Sequence, residues 1–108
     1  MIRNKQLEIV NGGWTAHDEA TPSYGDMINN MMIGHLFLKE EFDFTPTIGW
    51  DIDTFGHSDT NTRLYAEMGF DAMFFSRLDG DEKAKRQGTD KGMTFLWRPG
   101  QKDFGNQH

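Results

Sequence analysis

The stretch 49–58, which reads GWDIDTFGHS, contains most of the groups in this chain that could carry out chemistry. It places two carboxylates, Asp51 and Asp53, close to the imidazole of His57. The β-branched and aromatic residues of 47–53 predict a short strand, and side chains two apart on a strand share a face. We therefore expect Asp51 and Asp53 to point the same way at the carboxyl end of this strand, with His57 a turn beyond.

Other polar residues follow the neighbouring predicted strands. His17, Asp18 and Glu19 come after the first, and Arg77 ends the third, where a buried guanidinium would need an anionic partner. Carboxylates and imidazoles suit a divalent metal ion, and paired carboxylates also suit glycoside hydrolysis. A structural interpretation of the first loop is also open: Asp18 and Glu19 would be solvated charges near a helix N-terminus, and a nearby tryptophan would fill a gap.

The positions of these residues depend on an alternation of predicted strands and helices. A face repeating at three and four residues predicts a helix capped by Ser23 and running to about Phe42, on which His35 is a core or boundary residue. A second helix is expected from Ser58 to about Met68. Strands are predicted at 6–11, 47–53, 72–77 and 93–98, and 79–90 is partly helical. This order indicates an α/β fold with a mostly parallel sheet.

Composition limits the classes of protein to consider. A chain of 108 residues with 36% hydrophobic residues suits one small domain, and a net charge of −6 argues against nucleic acid as a partner. No apolar run is long enough to span a membrane, and no signal peptide is visible. The ends look like interior segments, with a strand entering early and 100–108 leaving as polar loop. We therefore expect residues 1–108 to be an internal segment of one larger α/β domain, incomplete at both ends.

Several motifs in this order resemble the class II α-mannosidases, glycoside hydrolase family 38, nearest to the lysosomal type. The motifs are NGGW at 11–14, DEA at 18–20, the stretch 49–58, MGFD at 68–71, FFSRLD at 74–79 and WR at 97–98. The resemblance covers roughly residues 6–98, and its most specific part is the Ile-Asp-x-Phe-Gly-His-Ser element.

The resemblance implies a fold, a reaction and roles for particular residues. The family has an α/β catalytic domain built on a mostly parallel sheet, and it hydrolyses terminal α-mannosides of N-glycan-type oligosaccharides with retention, using one zinc ion. By motif position, Asp53 would be the nucleophile and a zinc ligand, Arg77 would orient it, and Trp14 would lie near the sugar. His57 and Phe55 are interpreted as residues that shape the turn. A lysosomal or vacuolar location follows from the resemblance only.

The chain departs from the family pattern at two positions and lacks other parts of it. Thr54 replaces a common proline, and Asp51 stands where the family usually has a non-acidic residue, which could tighten metal binding or raise the pKa of the nucleophile. The remaining zinc ligands and the general acid of the family lie outside these residues. We expect the segment alone to bind zinc weakly and to hydrolyse nothing.

Two alternatives remain open at this point. One is another metal-dependent carbohydrate hydrolase, for instance a deacetylase-like enzyme using the Asp and His cluster. The other is a non-catalytic carbohydrate-binding or structural remnant. A His-x-Asp pair on the strand that precedes this segment would favour the mannosidase.

Overall fold

A computed structural model describes residues 1–89 and 91–99 of the chain. In chain order its elements are helix α1 (Tyr24–Phe42), strand β1 (Ile48–Asp51), helix α2 (Asp59–Glu67), strand β2 (Ala72–Phe75) and helix α3 (Gly80–Gln87). The two strands pair in parallel, with Ile48 opposite Ala72 and Asp51 opposite Phe75. The predicted α/β class is therefore confirmed for this part of the chain.

The long first helix begins and ends where the sequence predicts. The Ser23 hydroxyl accepts a hydrogen bond from the Asp26 N–H at the start, and Asp43 in a left-handed conformation closes the end. The helix buries one narrow stripe of side chains against the rest of the chain: Met27, Met31, Gly34 and Leu38. Together with Leu64 and Tyr65 of α2, the large members of this stripe form the core.

Helix α2 is the connection that allows β1 and β2 to be parallel. It is capped by the Ser58 hydroxyl, which accepts a hydrogen bond from the Asn61 N–H, and Gly69 turns the chain towards β2 with φ +88°. Tyr65 packs on Phe70, with ring centroids 5.0 Å apart. This crossover carries the chain back so that both strands end at the same edge.

The predicted first strand, 6–11, is wrong. Only Asn11 reaches β1: its N–H donates to the Ile48 carbonyl at 2.7 Å, and its side-chain Oδ1 accepts from the Trp50 N–H at 3.1 Å. Asn11 has φ +60° and Gly12 follows with φ +79°, so the backbone turns away and cannot continue a ladder. One asparagine thus supplies both hydrogen bonds that a residue of a parallel strand would make.

The predicted fourth strand, 93–98, is also wrong within the described residues. This segment makes no strand pairing. It packs through its aromatic rings instead, and the ring centroids of Phe95 and Trp97 each lie 6.1 Å from that of Phe75. Its apolar residues are used for side-chain packing on β2, whereas a strand would also need a backbone partner. The predicted polar loop at 100–108 lies outside the described residues.

Gly34 allows α1 to approach the loop that contains Asn11. A Cβ atom at this position would collide with the Gly12 carbonyl and lie 2.5 Å from the Trp14 nitrogen. The same loop is held by His35, whose Nε2–H donates to the Asn11 carbonyl at 2.9 Å and whose ring stacks on Phe70. His35 is thus a boundary residue, in agreement with its interpretation from the sequence.

Candidate active site

Asp53 and Arg77 meet at the carboxyl edge of the two-stranded sheet. Each lies two residues beyond the end of its strand, and the ends of the strands are paired. Arg77 donates from Nε at 2.9 Å and from Nη2 at 2.6 Å, and both bonds fall on Oδ1 of Asp53. The side chains are 76% and 50% exposed for Asp53 and Arg77, so the pair contributes little to folding stability. The buried position expected for Arg77 is therefore wrong, because its strand ends at Phe75 and the guanidinium projects into the loop region.

The ring of Phe55 supports the same guanidinium. The Arg77 carbon Cζ lies 4.4 Å from the centre of this ring, within cation–π distance. The backbone N–H of Phe55 donates to Asp18 Oδ1 at 3.1 Å, so a carboxylate of the first loop fixes this turn. Arg77 is thus oriented by Asp53 on one side and by an aromatic face on the other.

His57 joins the two loops that follow the strands. Its Nε2 lies 2.5 Å from the Arg77 carbonyl and its Nδ1 lies 3.2 Å from Oε1 of Glu19. A carbonyl only accepts, so Nε2 carries a proton and donates it. Because both ring nitrogens are engaged by protein groups, His57 acts in this structure as a residue that shapes the turn.

Glu19 is buried beneath this arrangement. Only 2% of the residue is exposed, and its Oε1 accepts the Ser58 N–H at 2.7 Å. Burial raises the pKa of the Glu19 carboxyl, the Ser58 N–H acts in the opposite direction, and the charge of Asp51 raises it further. The interpretation of Glu19 as a solvated charge is therefore wrong, because the turn at 57–58 and helix α2 cover it.

Side-chain amides and an imidazole form a chain of hydrogen bonds that leads to Glu19. Asn30 Oδ1 accepts the Thr15 N–H at 2.8 Å, so its amide nitrogen must be the group that donates to His17 Nδ1 at 3.1 Å. His17 then carries its proton on Nε2 and donates to Asn61 Oδ1 at 2.7 Å. This fixes the orientation of the Asn61 amide.

The amide nitrogen of Asn61 is therefore directed at two buried carboxylates. It lies 3.4 Å from Oε2 of Glu19 and 3.3 Å from Oδ2 of Asp51. Tyr65 lies on the same buried side of α2, and burial, with the Asp51 charge, raises the pKa of its hydroxyl. The tyrosine therefore remains protonated at neutral pH.

Asp51 and Asp53 do not share an environment, contrary to the prediction from the sequence. Asp51 is only 4% exposed and bonds to Asn61, whereas Asp53 is exposed and bonds to Arg77. The alternation of a strand holds only while the strand continues, and β1 ends at Asp51 with a turn over 52–53. Asp51 is thus a buried member of the Glu19 cluster.

Trp14 lies on the α1 side of the described structure. Its ring makes an edge-to-face contact with Phe37 at 5.6 Å, and it lines an open apolar cavity of about 460 Å³ together with Trp50. Trp14 itself is 60% exposed, so the interpretation that it fills a gap is wrong for the described residues. Neither Asp53 nor Arg77 lines this cavity.

Asp53 is a candidate metal ligand at this edge of the sheet. Within residues 1–89 and 91–99, no group of three or more His, Asp and Glu side chains has an arrangement that could hold a metal. Asp53 is exposed, and its carboxylate is a ligand type that zinc accepts, so Asp53 fits one position of a zinc site.

The sequence did not reveal the structural roles of Asn30, His17 and Asn61, nor the burial of Glu19. One signal was available for Asn61, because it lies three and four residues before Leu64 and Tyr65 on the apolar face of α2. A polar residue on such a face requires a buried polar partner. Asp51 lies ten positions before Asn61, but the other two partners, His17 and Glu19, lie 44 and 42 positions before it and could not be inferred from the local sequence.

No helix in the described ranges is both long and apolar enough to cross a bilayer.

One known protein family matches nearly the whole chain. Residues 1–103 match the family described as Glycosyl hydrolases family 38 N-terminal domain. The chain is 48% identical over 107 residues to an alpha-mannosidase of Canavalia ensiformis, covering 98% of this chain and 11% of the relative. It is 44% identical over 107 residues to the lysosomal alpha-mannosidase of Dictyostelium discoideum, covering 99% of this chain and 10% of the relative.

A mammalian relative gives the same result. The chain is 46% identical over 100 residues to the lysosomal alpha-mannosidase of Bos taurus, covering 91% of this chain and 10% of the relative. The chain thus spans about a tenth of the length of the curated relatives it matches. The extent of the match shows that this chain belongs to glycosyl hydrolase family 38, in the N-terminal domain of that family.

Proposed function

We propose that this chain is part of a zinc-dependent, retaining α-mannosidase, with Asp53 as its nucleophile. The observation that carries the proposal is the pairing of Asp53 with Arg77 at the carboxyl ends of two parallel strands, in a chain of family 38. In α/β folds the carboxyl ends of strands are where catalytic groups gather. The relatives named above are alpha-mannosidases, which supports the reaction type.

The proposed reaction proceeds through an ester of Asp53. A free oxygen of the ionised carboxylate donates an electron pair to the anomeric carbon of a terminal α-mannoside while the glycosidic bond breaks. The departing oxygen takes a proton from a general acid that lies outside this segment. Water, deprotonated by the same group, then attacks the anomeric carbon, releasing mannose and regenerating the Asp53 carboxylate.

Arg77 orients the nucleophile in this scheme. Its two bonds to Oδ1 fix the rotation of the carboxylate and direct Oδ2 away from the guanidinium. Phe55, stacked on the guanidinium, restricts its movement.

Asp53 would also hold the zinc ion, with the remaining ligands supplied from outside residues 1–108. Zinc, when bound, supplies Lewis-acid stabilisation of the ionised carboxylate and binding of sugar hydroxyls. One ligand is too few for a stable site, so we expect the segment alone to bind zinc weakly and to be inactive. Trp14 is proposed to contact the sugar; its 60% exposure leaves the indole accessible for such a contact.

The chain is proposed to be an internal segment of a larger catalytic domain. Its coverage of about a tenth of each relative supports this, as do the large apolar side chains it exposes, including Phe55, Phe74 and Leu96. We infer that N-glycan-type oligosaccharides are the substrates. A lysosomal or vacuolar lumen is proposed as the location, because relatives from Dictyostelium and cattle are named lysosomal.

The proposal is tested in the full-length protein with an aryl α-mannoside, with and without a chelator. We expect chelator-sensitive hydrolysis by the wild type and a loss of roughly 10³-fold or more in kcat for Asp53→Asn, because an amide does not form the glycosyl ester. Asp71→Asn, which changes an exposed carboxylate in the turn before β2, should retain wild-type activity. Full activity in Asp53→Asn would overturn the assignment of the nucleophile, and an inactive wild type would favour the non-catalytic remnant.

A further inference from the structure

Glu19 holds the loop that carries Asp53, although it lies 34 positions earlier in the chain. A single carboxylate oxygen, Oε1, both accepts the Ser58 N–H at 2.7 Å and faces His57 Nδ1 at 3.2 Å. These two residues end the turn that begins after β1. Glu19 therefore fixes the far end of the segment 52–58, whose near end is fixed by the sheet.

His57 passes this restraint to the neighbouring loop. Its Nε2–H donates to the backbone carbonyl of Arg77, and the Arg77 side chain then returns to Asp53. The resulting circuit runs from Glu19 through His57 and Arg77 to Asp53, and it joins the two loops that follow the two strands. We refer to these four residues as the Glu19 circuit.

A carboxylate is chemically required at the start of this circuit. Since Nε2 of His57 must donate to a carbonyl, Nδ1 must either donate to an ionised Glu19 or accept from a protonated one, and a carboxyl group satisfies both cases. The oxygen of a glutamine can only accept hydrogen bonds. It could accept from both the Ser58 N–H and His57 Nδ1 only if the imidazole carried two protons, and glutamine has no negative charge to balance that cation. Glutamine would therefore break one of the two contacts.

The cost of burying Glu19 suggests a role beyond packing. A carboxylate at 2% exposure is unfavourable, and apolar side chains of similar volume commonly replace such groups without loss of stability. The contacts of Glu19 Oε1 are directed at the loop of the reacting group. We propose that Glu19 is a positioning residue for the α-mannosidase reaction, acting through His57 and Arg77 to hold the Asp53 carboxylate in the orientation required for attack. This inference rests on the proposed function.

The first test compares Glu19→Gln with Glu67→Gln in the full-length protein, using an aryl α-mannoside. Glu67→Gln is the matched control. It makes the same chemical change at an exposed glutamate of α2 that forms an ion pair with Arg63. For Glu19→Gln we expect kcat to fall roughly 10–100-fold with little change in KM, as found for residues that orient catalytic groups. An unchanged kcat in a folded Glu19→Gln protein would overturn the inference.

A double-mutant cycle separates positioning from a general structural effect. Arg77→Lys removes the forked contact with Asp53 but keeps the backbone carbonyl that His57 binds. If Glu19 acts through Arg77, then Glu19→Gln should lower kcat by about twofold or less in the Arg77→Lys background, since coupled residues are non-additive. An equal factor in both backgrounds would contradict the inference.

A milder variant keeps the inference testable if Glu19→Gln does not fold. His57→Asn shortens the link to Arg77 while leaving the bond between Glu19 and Ser58 in place. It should also lower kcat more than KM, and its effect should also shrink in the Arg77→Lys background. Wild-type kcat in His57→Asn would overturn the circuit, whereas an inactive wild type would overturn the proposed function itself.

Discussion

At Glu19 and Asp51 the chain buries two acidic side chains that share one amide donor, Asn61. Burial opposes the charge of Glu19 and raises its pKa, and the nearby charge of Asp51 raises it further. Asn61 offsets part of this cost, and its orientation is fixed by His17. The Glu19 carboxyl beneath the turn at 57–58 is therefore harder to ionise than an exposed carboxyl.

The raised pKa of Glu19 predicts a pH dependence of folding stability. The pKa of Glu19 is raised above its ordinary value of 4.5, so the folded protein retains a proton that the unfolded chain has already lost. The free energy of unfolding should therefore fall as the pH rises from about 4.5 through the pKa of the folded state. Asp51→Asn removes a neighbouring negative charge, lowers the pKa of Glu19 and should reduce this fall.

The measurement is the thermal unfolding midpoint of chelator-treated full-length protein between about pH 4.5 and 7. The midpoint of Asp51→Asn minus that of the wild type should become larger as the pH rises through this window. Asp71→Asn makes the same change at an exposed carboxylate, and its difference from the wild type should stay constant. A difference for Asp51→Asn that stays constant with pH would show that the two carboxylates are not coupled.

At the scale of elements, the position of α1 depends on a glycine. Gly34 faces the backbone of the loop at 12–14 with no room for a Cβ atom, whereas Gly25 in the same helix has open space around it. We expect Gly34→Ala to lower the free energy of unfolding by about 1–3 kcal/mol through overpacking. Gly25→Ala should raise it by about 0.5–1 kcal/mol, because alanine restricts the unfolded chain and favours the helix.

Denaturant titration of the two alanine variants tests this contrast between matched positions. Destabilisation by Gly34→Ala should also reduce activity modestly, because the loop from Asn11 to Thr15 includes Trp14 and precedes Glu19. Equal effects of the two substitutions would show that α1 does not depend on the close approach at Gly34.

The elements that could be predicted from the sequence are those specified by local signals. Ser23 and Ser58 have N-cap chemistry, and Gly69 permits a left-handed turn, so α1, α2 and the start of β2 were predicted to within a few residues. The strand at 6–11 failed because Asn11 adopts a positive φ, which alternating hydrophobicity does not reveal. The strand at 93–98 failed because strand formation requires a backbone partner, and ring packing on Phe75 took its place.

The site was predictable in part for the same reason. The meeting of Asp53 with Arg77 followed from the order of the strands, since the carboxyl ends of parallel strands lie at one edge. The burial of Glu19 and Asp51 could not be predicted, because it depends on His57, Ser58 and Asn61 closing over them. Long-range contacts decided which carboxylate became buried and which remained exposed.

At the scale of the whole molecule, the described residues leave large apolar side chains exposed. Phe74 of β2 is 51% exposed, and Leu96, which lines the same cavity, is 78% exposed. A parallel sheet is normally covered on both faces, so these surfaces are consistent with packing against other parts of a larger domain. The exposed Asp53 would then lie at the mouth of a more enclosed site.

The central claim is that Asp53 becomes covalently attached to the sugar, and trapping of that ester tests it most directly. The full-length protein is treated with a 5-fluoro α-mannosyl fluoride, which should form the glycosyl-enzyme and release it slowly, and its peptides are analysed by mass spectrometry. We predict the added mass of one fluoromannosyl group on Asp53, none in Asp53→Asn, and none in residues 1–108 alone. Attachment to another carboxylate, or rapid inactivation of the Asp53→Asn protein with label elsewhere, would contradict the account.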